Sequence, residues 1–300
     1  MKKIFILTAI IILSVNAFAQ LDEDSTKVVS DPVNPEPSFT KLNNLGVKAI
    51  TEKSDDELAI SYFERAIAKN SMCSECRINL GRAKLRQGKS DEAIRIFSDV
   101  LRTDPKSKDA YSSLGEAFSR AGKDKQGIEA YDKAVQNGAS DDPVTLTNYA
   151  ISLNNEREYK KALNILDAAL KLDPNLAEAH TNRGTVLFNM GKIKKALDAF
   201  READRLSPNN YTISNNLGVT YDTLGKNKMA QKYYQTAIEL NPDFGIAQYN
   251  LAANYLENGK RTEAYKGLNA LKSIDNDLAN ELQQMIWGRF VINVSSRKIQ

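Results

Sequence analysis

Only one histidine, one tryptophan and two cysteines occur among 300 residues, and each scarcity removes a class of chemistry. A serine–histidine couple or a multi-histidine metal site has His180 alone to draw on. Cys73 and Cys76 have no second cysteine pair with which to close a zinc site, and Arg77 follows them where haem attachment would need a histidine. No glycine-rich phosphate loop follows a strand-like run, and the acids lie scattered instead of paired. No cofactor, metal or catalytic role is expected. Charge of one sign is also lacking: 41 Lys and Arg face 38 acids. That balance gives no broad electrostatic case for nucleic acid. Beyond Ile4–Val15 there is no long apolar run, so no membrane span is expected, because a crossing helix needs roughly 20 apolar residues.

Residues 1–19 place Lys2 and Lys3 before that apolar run and end in Asn16-Ala17-Phe18-Ala19. This order of charge, short greasy stretch and small-x-small residues reads as a secretory signal peptide, cut after Ala19. The mature chain is therefore expected to be exported, to a periplasm first and otherwise to the extracellular space. Its loss takes away two lysines and no acid, lowering the formal charge from +3 to +1. Residues 20–38 are polar and broken by Pro32, Pro35 and Pro37, which marks a flexible linker.

What the chain does have is a period. Gly81 and Gly115 stand 34 residues apart, and Gly184 and Gly218 repeat that interval, with Ala150 and Ala252 filling the gaps. A second beat, small-x3-large-x2-small, follows each site: Ala93/Phe97/Val100, Ala196/Phe200/Ala203 and Ala230/Tyr234/Ala237. Within a repeat the apolar and small residues fall three and four apart, as on helices that bury one stripe. Gly88, Gly122, Gly191, Gly225 and Gly259 mark an inner turn, and Pro105, Pro174 and Pro242 a stop between units. A fixed period of this length implies stacked helical hairpins with an extended inner face.

These residues resemble the tetratricopeptide repeat family, in which Leu-Gly, Ala-x3-Phe-x2-Ala and a late proline share 34 residues. The resemblance implies an all-α fold, a right-handed α-solenoid of seven hairpins over residues 39–278. Units start at Phe39, Ser74, Lys108, Pro143, Ala177, Tyr211 and Gly245. Residues 279–300 form a cap helix and tail, with Trp287 anchoring the cap and Val291–Gln300 lacking a clear partner. Three departures stand out. The first unit has one extra residue, Lys53 and Arg157 replace the turn glycine, and the joint at residues 138–143 carries an insertion that loosens or re-angles it.

At the sixth position of the first helix stand Asn44, Asn79, Ser113, Asn148, Asn182, Asn216 and Asn250. In this family that position is expected to face the concave surface. A row of amides, each donor and acceptor, is then a sequence-tolerant clamp for extended peptide. It is similar to the asparagine ladder of O-linked N-acetylglucosamine transferases, without their catalytic domain; inheritance of a family consensus is the alternative. Arg82, Arg86 and Arg120 favour acidic ligands locally, or else serve as solvated charge beside Glu116 and Asp109. Cys73 and Cys76 are read as a local disulfide, with free thiols or a redox dithiol as alternatives. His180 is a packing residue. The expected function is non-enzymatic binding of extended or disordered segments of other proteins. The rival is a structural scaffold or assembly subunit of a cell-envelope complex that uses the outer faces and the ends.

Overall fold

The computed structural model describes residues 37–297, with side chains as far as Gly288. The signal segment and most of the linker lie outside the described residues. Among these there are fifteen α-helices, one 3₁₀ turn and no strand. The chain divides at Pro174 into two compact units. The first contains α1 (Phe39–Lys53), α2 (Asp56–Lys69), α3 (Ser74–Arg86), α4 (Ser90–Thr103), α5 (Lys108–Arg120), α6 (Asp124–Gln136), α7 (Pro143–Asn155) and α8 (Tyr159–Leu172). The second contains α9 (Ala177–Asn189), α10 (Ile193–Leu206), α11 (Tyr211–Thr223), α12 (Asn227–Leu240), α13 (Gly245–Glu257), α14 (Arg261–Ile274) and α15 (Asn276–Arg297). Each odd-numbered helix up to α13 begins at the residue where the repeat register opens a unit.

Short polar side chains start several of these helices. Ser38, Asp55, Ser107 and Asn210 each accept a backbone N–H from the first turn, and Asp142 does so ahead of Pro143 at the first helical position. Such caps satisfy donors that a helix cannot pair internally, at about 1 kcal/mol each. The turn between paired helices requires a left-handed residue. Gly88 supplies it at φ 76°, but Arg157 occupies the equivalent turn at φ 63°. In the first hairpin the left-handed residue is Ser54, while Lys53 stays helical, because α1 is longer than its counterparts. The insertion near residue 140 is absorbed by the 3₁₀ turn Ala139–Asp141, tied to Lys108 Nζ through Gly138 O and Asp141.

Packing inside each hairpin follows one volume rule. A Cβ placed on Gly46, Gly81, Gly115, Gly184 or Gly218 would lie under 3 Å from the ring of Phe63, Phe97, Tyr131, Phe200 or Tyr234 respectively. Each ring is fully buried, contributing roughly 1.5–3 kcal/mol of apolar burial. At the two hairpins with alanine in place of that glycine, Ala150 and Ala252, the ring gives way to Leu166 and Leu268. Aromatic over glycine and leucine over alanine fill the same space.

The last helix corrects one expectation. Leu278, Ala279, Leu282, Met285 and Ile286 pack α15 onto α13 and α14. Trp287, expected as the anchor, is 61% exposed. The helix turns its packed stripe inward through Ile286, and the tryptophan falls one position off it.

Candidate functional site

The first helices of the N-terminal unit carry charge at matched positions. Asn79, Arg82 and Arg86 on α3 correspond to Ser113, Glu116 and Arg120 on α5, three and seven residues apart on one helix face. All three arginines are half-buried and each is held through Nε. Arg82 Nε donates to Ser113 Oγ at 3.1 Å, Arg86 Nε to Asp56 at 2.6 Å, and Arg120 Nε to Glu116 at 2.9 Å. Pinning at Nε fixes each guanidinium plane and leaves its terminal nitrogens as oriented donors. Burial draws Arg82 below the usual arginine value, opposed by Asp109, Glu116, Asp142 and Glu75. Glu116 is almost fully buried. Burial raises its carboxyl above the ordinary range, with Arg120 and Arg82 pulling the other way.

The asparagine row requires a correction. Asn79, Asn148, Asn182, Asn216 and Asn250 are each no more than 5% exposed, so they do not stand open in a groove. Asn44 is exposed, and its neighbour Asn43 takes the buried place in the first hairpin. Two of the amides, Asn79 and Asn250, join adjacent first helices within their units. Asn79 Nδ2 donates to Asn43 Oδ1 at 3.1 Å, while Asn43 Nδ2 donates to Glu75. Asn250 Nδ2 donates to Asn215 Oδ1 at 3.0 Å. Asn148, Asn182 and Asn216 also make interactions of their own. The physical reason is spacing: at these two joints the hairpins pack closely enough that a carboxamide spans from one first helix to the next.

In the C-terminal unit the same seam is almost free of charge. Thr181, Asn182, Thr185, Asn215, Asn216, Thr220, Asn250 and Asn254 are all buried. Asn254 donates to Asp222, and Gln231 donates to Asn254. The arginines therefore distinguish the first helices of one unit from those of the other. Among the remaining candidates, Cys73 and Cys76 are joined in a disulfide at the start of α3, with Cys76 fully buried and Cys73 accepting the Cys76 N–H. His180 is half-buried on α9. Among the described residues no group of His, Cys, Asp and Glu is arranged to hold a metal ion, and no helix is long and apolar enough to cross a membrane.

Stacked helix pairs with an all-helical core and a polar seam between their first helices define a repeat scaffold of helical hairpins. Models described as "Tetratricopeptide repeat" match residues 78–142, 177–210 and 212–244, and one described as "TPR repeat" matches 157–191. Together they cover just over half of the chain, which belongs to the tetratricopeptide repeat family, a family of protein–protein interaction modules. Among curated proteins, Superkiller protein 3 of Saccharomyces cerevisiae is 32% identical over 132 residues, 40% of this chain and 9% of that protein. The chain spans about a tenth of the length of the curated relatives it matches. Two solved structures share the fold. One is the APC/C hetero-tetramer Cut9–Hcn1, with TM-score 0.70 and 19% identity over 85% of this chain and 50% of that one. The other is a tetratricopeptide repeat protein from Parabacteroides merdae, with TM-score 0.66 and 15% identity over 83% of this chain and 98% of that one.

Proposed function

We propose that the chain is an exported interaction module that holds an extended partner segment along the inner helices of its N-terminal unit. One observation supports this most: Arg82, Arg86 and Arg120 are each held through Nε by a protein acceptor, which restricts the guanidinium plane. Guanidinium donors held this way suit backbone carbonyls and acidic side chains of a bound segment. A charge-assisted hydrogen bond is worth roughly 1.5–3 kcal/mol, so one contact formed through a single arginine changes affinity about tenfold or more. On this reading the asparagines join repeats and do not grip ligand, whatever their likeness to ladders in O-linked N-acetylglucosamine transferases.

The test is affinity capture by the mature chain from its native envelope, read by mass spectrometry. Replacing Arg82, Arg86 and Arg120 with Gln is expected to lose the captured partner while keeping helicity. Replacing Asn148, Asn182 and Asn216 with Ala is expected to lower stability before it lowers capture. Equal capture by the arginine variant and the parent removes the proposal. Export has its own check: cell fractionation that finds only uncleaved chain in the cytosol contradicts it.

A further inference from the structure

In the N-terminal unit the second helices of the hairpins open on acids: Asp56 and Glu57 in α2, Asp91 and Glu92 in α4, and Asp124 in α6. Negative charge suits a helix N-terminus, where the backbone N–H groups sum to a positive pole. These acids also neutralise lysines of the same edge. Lys123, which precedes α6, reaches Asp91 on α4 across 32 residues at 3.1 Å, and Lys84 reaches Glu92 at 3.3 Å.

The C-terminal unit inverts that edge. Lys192, Lys226 and Lys260 stand 34 residues apart, immediately before α10, α12 and α14. Neither α10 nor α12 has an acid in its first turn; Lys194 and Lys195 stand there in α10, and Lys228 in α12. Arg261 opens α14, whose first turn holds one acid, Glu263. The 32-residue register that pairs Lys123 with Asp91 sets Lys226 against Lys194 and Lys260 against Lys228. Lys192, Lys194, Lys195, Lys226, Lys228, Lys260 and Arg261 are all exposed, and none of them makes an ion pair among the described residues. Lys260 bonds Gln231 Oε1 at 3.4 Å and lies over the Tyr255 ring. Of the acids near the ends of the preceding first helices, Asp222 is buried and accepts from Asn254, and Glu257 is half-buried.

Positive charge thus stands where the helix pole opposes it and where its register partner has the same sign. The hairpin does not require this, because the N-terminal unit builds the same turns with acids. A negative partner relieves both repulsions. We propose that this lysine edge is a second interaction surface, independent of the arginines of the N-terminal unit, and that it binds an extended acidic polypeptide segment. Point charges strung over three hairpins at one repeat interval match carboxylates strung along a backbone, not one compact anion. Within those first turns Met229 is the single large exposed apolar side chain, too little to seat the edge in a bilayer.

The probe is a fluorescein-labelled oligoglutamate titrated with the mature chain and read by anisotropy. Binding is expected, weakening as salt is raised, because exposed charges are screened beyond about 10 Å at 0.1 M. Lys194→Asp with Lys228→Asp recreates the register of Lys123 with Asp91. That variant is expected to keep its circular dichroism and thermal midpoint, or raise the midpoint, and to bind the probe roughly tenfold more weakly. Lys194→Gln with Lys228→Gln, which adds no acid, is expected to fall between it and the parent. The Gln variant of Arg82, Arg86 and Arg120 is expected to bind like the parent, so this surface and the arginine site fail separately. No binding by the parent, or equal binding by both lysine variants, overturns the proposal. Loss of binding in the arginine variant instead seats the probe on the N-terminal unit and overturns it too. Without probe binding, lysine-dependent co-sedimentation with phosphatidylglycerol vesicles overturns it in favour of lipid, and lysine-dependent self-association in sedimentation velocity in favour of a second copy.

Discussion

Replacing Gly184 with Ala tests the volume rule at a site where every contributor is visible. The added methyl would lie 2.6 Å from one carbon of the Phe200 ring and under 3 Å from two more. Phe200 is fully buried, so the ring has nowhere to retreat. Overpacking of this kind costs up to about 3 kcal/mol, against which alanine gains about 1 kcal/mol in helix propensity, leaving a net loss of about 2 kcal/mol. Phe200→Leu alone leaves a void and costs about 1 kcal/mol or somewhat more. The double variant rebuilds the alanine–leucine pairing of Ala150 with Leu166, so it is expected to sit within about 1 kcal/mol of the parent. The assay is a denaturant midpoint and slope for all four proteins, with circular dichroism as the probe. A coupling energy of about 2 kcal/mol or more is expected. Additive single-variant effects, with coupling below about 0.5 kcal/mol, refute the pairing argument.

Three further outcomes follow from neighbouring details. The Tyr131 hydroxyl is buried without a protein partner, where Phe63, Phe97 and Phe200 carry none; Tyr131→Phe is expected to raise stability by about 1 kcal/mol, and a lower midpoint would show the hydroxyl to be satisfied. Arg157 holds a left-handed turn that glycine fills in the sibling hairpins, so Arg157→Gly should gain about 1 kcal/mol in thermal or denaturant unfolding. Burial raises the Glu116 carboxyl in the fold, so the folded chain favours the protonated form and loses stability as pH rises through that elevated value. Glu116→Gln lacks this loss. The variant's advantage should therefore widen from acid toward neutral pH in midpoint measurements, and a constant difference would contradict the assigned shift.

The helical hairpins were legible because glycine, alanine and aromatic positions report volume constraints that recur in register. Even the first residues of the odd-numbered helices could be read this way, since a proline or polar cap precedes every unit except that of α3, which Cys73 caps. The left-handed turn at Ser54 was misplaced by one residue because no glycine marks it. Burial of the asparagines was not legible. Position six fixes the face of the helix but not how closely the next hairpin approaches, and a carboxamide suits open water and a short inter-helix bridge equally well. The acceptors that pin Arg86 and Arg82, Asp56 and Ser113, lie on other helices about 30 residues away, whereas Glu116 shares a helix with Arg120. A single repeat therefore gives no sign of the first two, although reading positions six, nine and thirteen across repeats isolates α3 and α5 as the charged pair. Trp287 was misread because an aromatic near a cap looks like an anchor until the neighbouring Ile286 is seen to occupy that place.

The matched ring-and-small-residue pairs also bear on how such a chain can be recombined. Crossovers in the proline-marked connections would move both halves of a pair as a cassette and keep its fit. A crossover at an inner turn between hairpins of different kind would set a ring against a methyl, or leave leucine facing an empty slot. Repeats that look interchangeable by length are thus of two incompatible kinds, and exchange between the kinds keeps the fit only when whole hairpins move.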